Sequence, residues 1–266
     1  MSASDGSAQR PLRLDRDGGL AVITVSAPPL NLFDERLAGA LEDAVAELES
    51  PATRAVLFRA EGRVVSGGVD VSVFAALPGS REARKLFERL IRLAQRVERL
   101  PCPTVFAAHA LCLTWAFELA LACDIILAAE SARFGLVEAV IGLTPAMGGT
   151  QRLAERAGTG RARELVMTGV PYDARVLERW NVVNRVLPDD GFDAAAREFA
   201  RQLADGPTRA HAATKEVLRE YLAGGLDHAN DRVARIAGEL FDSEDLQGAV
   251  RSFLERGPGK ASFKGS

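Results

Sequence analysis

Residues 104–128 restrict what this chain can become more than any other stretch. Thr104-Val105-Phe106-Ala107-Ala108, which follows Pro101 and Pro103, is a short apolar run of strand type. Trp115–Ala122 comes next, apolar and rich in good helix formers, and residues 124–128 return to a strand. A helix apolar all round has to be buried, so this unit belongs at the centre of the fold. One carboxylate, Glu118, sits inside it. A second, Glu138, ends Ala132-Arg133-Phe134-Gly135-Leu136-Val137-Glu138, ahead of the run Pro145-Ala146-Met147-Gly148-Gly149-Thr150. An ionised carboxylate in such surroundings is costly unless it is paired or its pKa rises.

The 266 residues suffice for one large domain, or for a core with a small appendage. A net charge of −3 gives no electrostatic reason to expect nucleic acid or an anionic membrane as partner. No apolar run approaches the roughly 20 residues that span a bilayer. Residues 1–10 read as a disordered tail, since they lack the basic start and apolar centre of a signal. Cys102, Cys112 and Cys123 lie in apolar contexts without zinc-ligand spacing, which points to reduced core thiols and a cytoplasmic location. His109, His211 and His228 are scattered, so neither a metal site nor a triad is expected.

A hairpin is expected from strands over 12–14 and 20–25, turning at Asp15-Arg16-Asp17-Gly18-Gly19. A helix follows through Leu37, Leu41, Ala44, Val45 and Leu48, with Asn31 and Asp34 as cap-type residues, and then a strand over 55–59. Residues 64–70 read as a strand ending in Gly67-Gly68, and residues 74–80 as a loop. Residues 81–100 form an amphipathic helix whose Leu86, Leu90, Leu93, Val97 and Leu100 make a core stripe. Beyond the central stretch, helices over 160–168 and 174–180 precede a strand over 182–186. Helices over 192–204, 207–222, 226–241 and 245–254 complete the chain. Composition shifts near Pro188-Asp189-Asp190-Gly191, which divides an α/β core over 11–188 from a helical region over 189–266.

Gly67-Gly68 would let backbone N–H groups approach a polarised oxygen with no Cβ in the way. Trp115 opens the Glu118 helix, where unbonded N–H groups and the helix dipole favour negative charge. Two such donors on one carbonyl oxygen make an oxyanion hole; the plainer reading of Gly67-Gly68 is a tight turn. Glu118 and Glu138 suit a general acid–base pair, whose burial and mutual repulsion push the two pKa values apart. The competing reading pairs Glu118 with an arginine such as Arg152 and leaves Glu138 in a solvated loop. Asp70 and Asp124 read as structural, a cap and a strand-start anchor. Met147 reads as core, and Arg152, Arg156, Arg161 and Arg163 as a solvated face, though one of them could meet a phosphate.

Three segments resemble the signatures of the enoyl-CoA hydratase/isomerase (crotonase) superfamily: Val65-Ser66-Gly67-Gly68-Val69-Asp70-Val71, Phe117-Glu118-Leu119-Ala120-Leu121-Ala122-Cys123-Asp124 and Phe134-Gly135-Leu136-Val137-Glu138. Gly142-Leu143-Thr144-Pro145, Gly148-Gly149-Thr150-Gln151-Arg152-Leu153, Phe241-Asp242-Ser243-Glu244-Asp245 and Phe263-Lys264-Gly265 extend the likeness from about residue 12 to 265. The resemblance implies an α/β spiral of ββα units with a C-terminal helical trimerisation region, assembled as a trimer or a dimer of trimers. It implies an acyl-CoA thioester as substrate, with coenzyme A part of that substrate and no separate cofactor. By position, Gly67 and Trp115 would supply the oxyanion-hole N–H groups, and Glu118 and Glu138 the two catalytic carboxylates. Asn31, Val65, Gly68, Val69, Asp70, Pro145, Ala146, Phe263 and Lys264 fall where the family binds its substrate.

Departures from the family pattern lie close to the reacting centre. Thr114-Trp115-Ala116-Phe117 stands where a glycine run usually precedes the glutamate, Val69 replaces an alanine, and Ala146 replaces a glycine beside the expected catalytic water. Trp115 still carries an N–H, but its indole would fill space near the thioester or alter the local backbone. A short acyl chain, a modified pocket or a weakened hydratase all fit. With both glutamate positions filled, the expected activity is hydration of a 2-enoyl-CoA. The alternatives are an enoyl-CoA isomerase and a weakly catalytic acyl-CoA-binding protein of the same fold.

Overall fold

The computed structural model of the protein describes residues 10–266, so residues 1–9 of the expected tail fall outside it. The chain begins with the expected hairpin, β1 (Leu12–Asp17) and β2 (Leu20–Val25), which pair antiparallel with Leu12 opposite Val25. The helix α1 (Glu35–Leu48) is capped by the Asp34 side chain, which accepts from the Leu37 N–H. Its buried face is Leu37, Ala38, Leu41, Ala44, Val45 and Leu48. The strand β3 (Ala55–Ala60), the helices α2 (Ser72–Ala75) and α3 (Ser80–Glu98), and the strands β4 (Thr104–Ala108) and β5 (Cys112–Leu113) follow. The central helix α4 (Trp115–Ala122) has all eight residues buried and leads into β6 (Ile125–Ala129).

Next come β7 (Arg133–Gly135), a 3-10 turn over Glu138–Ile141, α5 (Gly149–Thr168), β8 (Tyr172–Asp173), α6 (Ala174–Arg179) and β9 (Arg185–Leu187). The helices α7 (Phe192–Ala204), α8 (Thr208–Gly238) and α9 (Glu244–Arg256) finish the chain. The larger sheet runs β1-β2-β3-β4-β6-β9, parallel except at β1, and the smaller runs β5-β7-β8. Every residue of β2 and of β4 is buried, as expected of strands covered on both faces. The helix α4 packs between α3 and α5, and α7 packs against β3. The core therefore continues past residue 189: Phe192, Ala196, Ala200 and Ala204 belong to it.

Several sequence expectations need correction. Residues 64–70 form no regular strand; their ladder contacts are the isolated bridges Phe33–Val69 and Ser66–Cys112. Gly68, at φ +115, turns the chain out of the extended conformation. Part of the expected 74–80 loop is the last turn of α2. The helix expected over 160–168 starts at Gly149 and bends at Gly158, whose φ is +80. The strand expected over 182–186 is delayed to Arg185 by a turn through Asn181, at φ +63. The two helices expected over 207–222 and 226–241 are the halves of α8, bent at Gly225, with a 3-10 turn over Glu239–Asp242.

Candidate active site

The β4–β5–α4–β6 unit puts Glu118 in the first turn of α4, facing the Gly-rich run before α5. One carboxylate oxygen, Oε2, accepts hydrogen bonds from the Met147 N–H at 2.8 Å and the Gly149 N–H at 2.7 Å. Gly149 has to be glycine here, because a Cβ would lie 2.6 Å from Glu118 Cγ. Glu138 opens the 3-10 turn after β7 and is also buried, and its Oε2 has no hydrogen-bond partner among the described residues. Burial pushes Glu118 up to about 7, against the pull of the Gly149 and Met147 N–H groups and the Arg152 charge. Burial and then the Glu118 charge push Glu138 up to about 7 as well. Hydrogen bonds to an ionised carboxylate favour the charged form. The pair at neutral pH is therefore best described with the charge on Glu118 and a proton on Glu138.

Both carboxylates line one cavity of about 210 Å³. Gly67, Gly68, Val69, Trp115 and Ala146 line it too, so the structure gathers these expected site residues around the glutamates. Asn31, Val65, Asp70 and Pro145 do not line it. The Asn31 side chain is turned inward, accepting from the Ala27 N–H and donating to the carbonyls of Glu61, Val64 and Val65. Asp70 accepts from the Ser72 N–H. Asp124 is the expected anchor, with Oδ2 2.8 Å from the Thr104 N and Oγ1 and from Lys215 Nζ. Lys264 lines a separate cleft against α9, where Asp245 accepts from the Lys264 and Gly265 N–H groups.

The oxyanion-hole assignment of Gly67 is corrected by the backbone hydrogen bonds. The Gly67 N–H already donates to the Leu30 carbonyl at 2.8 Å, and the Gly68 N–H donates to Ser66 Oγ at 2.9 Å. Between Gly67 and Asp70, the N–H without a partner among the described residues is that of Val69. Trp115 holds the first position of α4, where an N–H has no intrahelical acceptor, and it too finds none among the described residues. The indole is buried against Phe33, with ring centroids 5.7 Å apart, and its Nε1–H donates to Ser66 Oγ at 2.7 Å. Ser66 Oγ thus ties the Trp115 side chain to the Gly68 backbone.

Other expectations also shift. Arg152 does not bond to Glu118. It is buried, pairs with Glu98 at 2.9 Å, and donates to the Met147 and Gly148 carbonyls. Arg156 is half-buried and donates to the Cys123 and Val182 carbonyls, so neither arginine is part of a solvated face. Leu86 and Leu90, expected in the core, are half-buried and line the cavity with Phe87. Met147 is buried as expected, and it contributes an N–H to the site as well. That role follows from its place before Gly148-Gly149, which side-chain chemistry does not reveal. Among the described residues no helix is long and apolar enough to cross a membrane.

A buried carboxylate pair beside two unbonded N–H groups is chemically suited to polarising a carbonyl and moving protons next to it. The comparisons with known proteins name the class. The enoyl-CoA hydratase/isomerase family profile matches residues 15–266, and the chain belongs to that family. A Bacillus subtilis (strain 168) protein named "Probable enoyl-CoA hydratase" is 32% identical over 251 residues, 94% of this chain and 96% of that one. A mitochondrial Delta(3,5)-Delta(2,4)-dienoyl-CoA isomerase of Dictyostelium discoideum is 29% identical over 214 residues, 76% and 73% of the two chains. A crystal structure of an enoyl-CoA hydratase from Geobacillus kaustophilus HTA426 superimposes with a TM-score of 0.91 at 25% identity, covering 97% of this chain and 98% of that one. The protein is an enzyme of the enoyl-CoA hydratase/isomerase class.

Proposed function

We propose that the protein adds water across the double bond of a 2-enoyl-CoA, giving the 3-hydroxyacyl-CoA. The observation that carries this reading is the pair Glu118 and Glu138, both buried on one cavity and both pushed up to about 7. The thioester oxygen accepts from the N–H groups of Val69 and Trp115. Anionic Glu118 takes a proton from a water held between the carboxylates, and the water oxygen bonds to C3. Negative charge moves to the thioester oxygen, where the two N–H groups stabilise the enolate. Glu138 gives its proton to C2, so one water has been added, and proton transfer from Glu118 to Glu138 restores the pair. The Trp115 indole is anchored on Ser66 through Nε1–H, and the Trp115 backbone N–H has no partner among the described residues, which supports its use as a donor in this reading.

The isomerase relative supports a second reading, in which Glu138 alone shuttles a proton between the α and γ carbons of an enoyl-CoA. Loss of the conjugated-thioester absorbance on mixing with crotonyl-CoA and a longer 2-enoyl-CoA separates the two. Hydration that drops about 10²- to 10⁴-fold in Glu118→Gln and Glu138→Gln, with acyl-CoA affinity kept, is the expected result. Intact affinity without hydration in the wild type would sink the hydratase reading and turn attention to isomerase substrates. We also propose a homo-oligomer, a trimer or a dimer of trimers, working in the cytoplasm.

A further inference from the structure

Thr114 carries two costs that its surroundings do not explain. Its backbone lies at φ +51 and ψ −118, in a region that a β-branched residue enters only with strain. The residue is 6% exposed, and its Oγ1 has no hydrogen-bond partner among the described residues. Buried hydroxyls are normally paired, and one left alone destabilises the fold. Glycine at this position would remove both costs, yet threonine stands there. Thr150 Oγ1 is also buried without a partner, but Thr150 does not line the cavity. Thr114 does. It precedes Trp115, and a Cβ at Gly68 would lie 3.5 Å from Thr114 Oγ1. The hydroxyl thus sits beside both segments that present an unbonded N–H, those of Trp115 and Val69.

We propose that the Thr114 hydroxyl is a third hydrogen-bond donor to the thioester oxygen of the bound acyl-CoA. The proposal rests on the oxyanion hole assigned above to Val69 and Trp115. A thioester oxygen only accepts, and a hydroxyl with no other acceptor can rotate its hydrogen toward it. Without substrate the buried hydroxyl has no partner among the described residues. On binding it gains a partner, and the bond strengthens as charge builds on the oxygen in the transition state.

Thr114→Val keeps the shape and the branching but removes the donor, Thr114→Ser keeps the donor, and Thr114→Gly also relieves the backbone. Three measurements test the idea: the thermal midpoint, hydration kinetics on crotonyl-CoA, and the red shift of the near-ultraviolet band when a 2,4-dienoyl-CoA binds. That shift reports polarisation of the thioester carbonyl. For Thr114→Val the expected result is an unchanged or raised midpoint, a smaller red shift and a kcat/KM lower by about 10- to 100-fold, mostly in kcat. Thr114→Ser should keep most of the shift and of the rate. Thr114→Gly should be the most stable of the set and lose the shift as Thr114→Val does. An active wild type whose Thr114→Val variant retains the shift and the rate overturns this proposal and leaves the hydratase reading standing. So does a Thr114→Val whose midpoint falls while Thr114→Ser loses as much activity, since that describes a structural residue. A wild type that neither binds nor hydrates these thioesters removes the oxyanion-hole reading, and this proposal with it.

Discussion

Burial raises both carboxylates, but only Glu118 has two N–H donors on one oxygen, so the proton shared by the pair resides on Glu138. The active form is then the singly protonated pair, and kcat/KM should be bell-shaped with its maximum near pH 7. Protonation of Glu118 sets the acid limb and ionisation of Glu138 the alkaline one, so residual activity in Glu138→Gln should lack the alkaline limb. The same shifts bear on stability. Each carboxyl rises from an ordinary 4.5 to about 7 on folding, so the folded chain holds more protons than the unfolded chain within that window. Stability falls as pH rises through it. Glu138→Gln should therefore gain on the order of 2 kcal/mol over the wild type at pH 8, and little at pH 4. Urea unfolding at both pH values checks this; an equal difference at the two contradicts it. Glu118 and Glu138 stood out in the sequence as carboxylates in apolar surroundings, and Trp115 as the residue that opens the Glu118 helix. Residue type left their roles open, the resemblance supplied the expected ones, and the structure puts all three on one cavity. The Val69 N–H was not legible, because what disqualifies Gly67 is a bond to Leu30, whose placement depends on the tertiary fold.

At the scale of the elements, the site depends on how closely the start of α5 approaches α4. A Cβ on Gly149 would come within 2.6 Å of Glu118 Cγ and 3.0 Å of Oε2. Gly149→Ala has to displace either the carboxylate or the helix start, and a displacement near 1 Å at a reacting group costs about 10²-fold in rate. The expected outcome is a fall of about that size in kcat with the fold retained, read by crotonyl-CoA kinetics beside circular dichroism. Normal kcat in a folded Gly149→Ala would mean that Glu118 does not need its N–H cradle. The elements with a strong period were legible: α1, α3 and α7 each present an apolar stripe, and β2 and β4 are short apolar runs. The failures fall at glycines. Gly158 hid the first half of α5, Gly225 split α8 in two, and Gly67-Gly68 broke an expected strand. A glycine at positive φ can bend a helix without ending it, and local pattern does not tell a bend from an end. Leu86 and Leu90 lie on the same stripe as Leu93 and Val97, but they face a cavity that Val73 and Phe74 of α2 and Val140 and Ile141 of the 3-10 turn also line.

For the molecule as a whole, the C-terminal helices leave large apolar side chains exposed. Leu218, Tyr221 and Leu222 stand on the first half of α8, Leu226 follows the bend, and Phe253 and Leu254 are on α9. Exposed apolar side chains on α8 and α9 are the kind of surface that association of chains would cover. The proposed oligomer supplies a cover for it, and light scattering should then give three or six times the chain mass of 28.4 kDa. Leu222→Glu puts a charge on that surface and should shift the mass toward the monomer. The same assembly bears on Lys264, which the resemblance places against the coenzyme although it lines a cleft apart from the glutamate cavity. If a neighbouring subunit brings the two together, Lys264→Ala should raise KM for the enoyl-CoA several-fold with kcat little changed, because the charge grips substrate remote from the reacting carbons. Leu222→Glu should raise KM in the same way at dilutions where it is monomeric, and recover at concentrations where it reassembles. A monomeric Leu222→Glu with wild-type KM would show that each chain binds its coenzyme alone, and Lys264 would then have to be assigned to the structure of the C-terminal end.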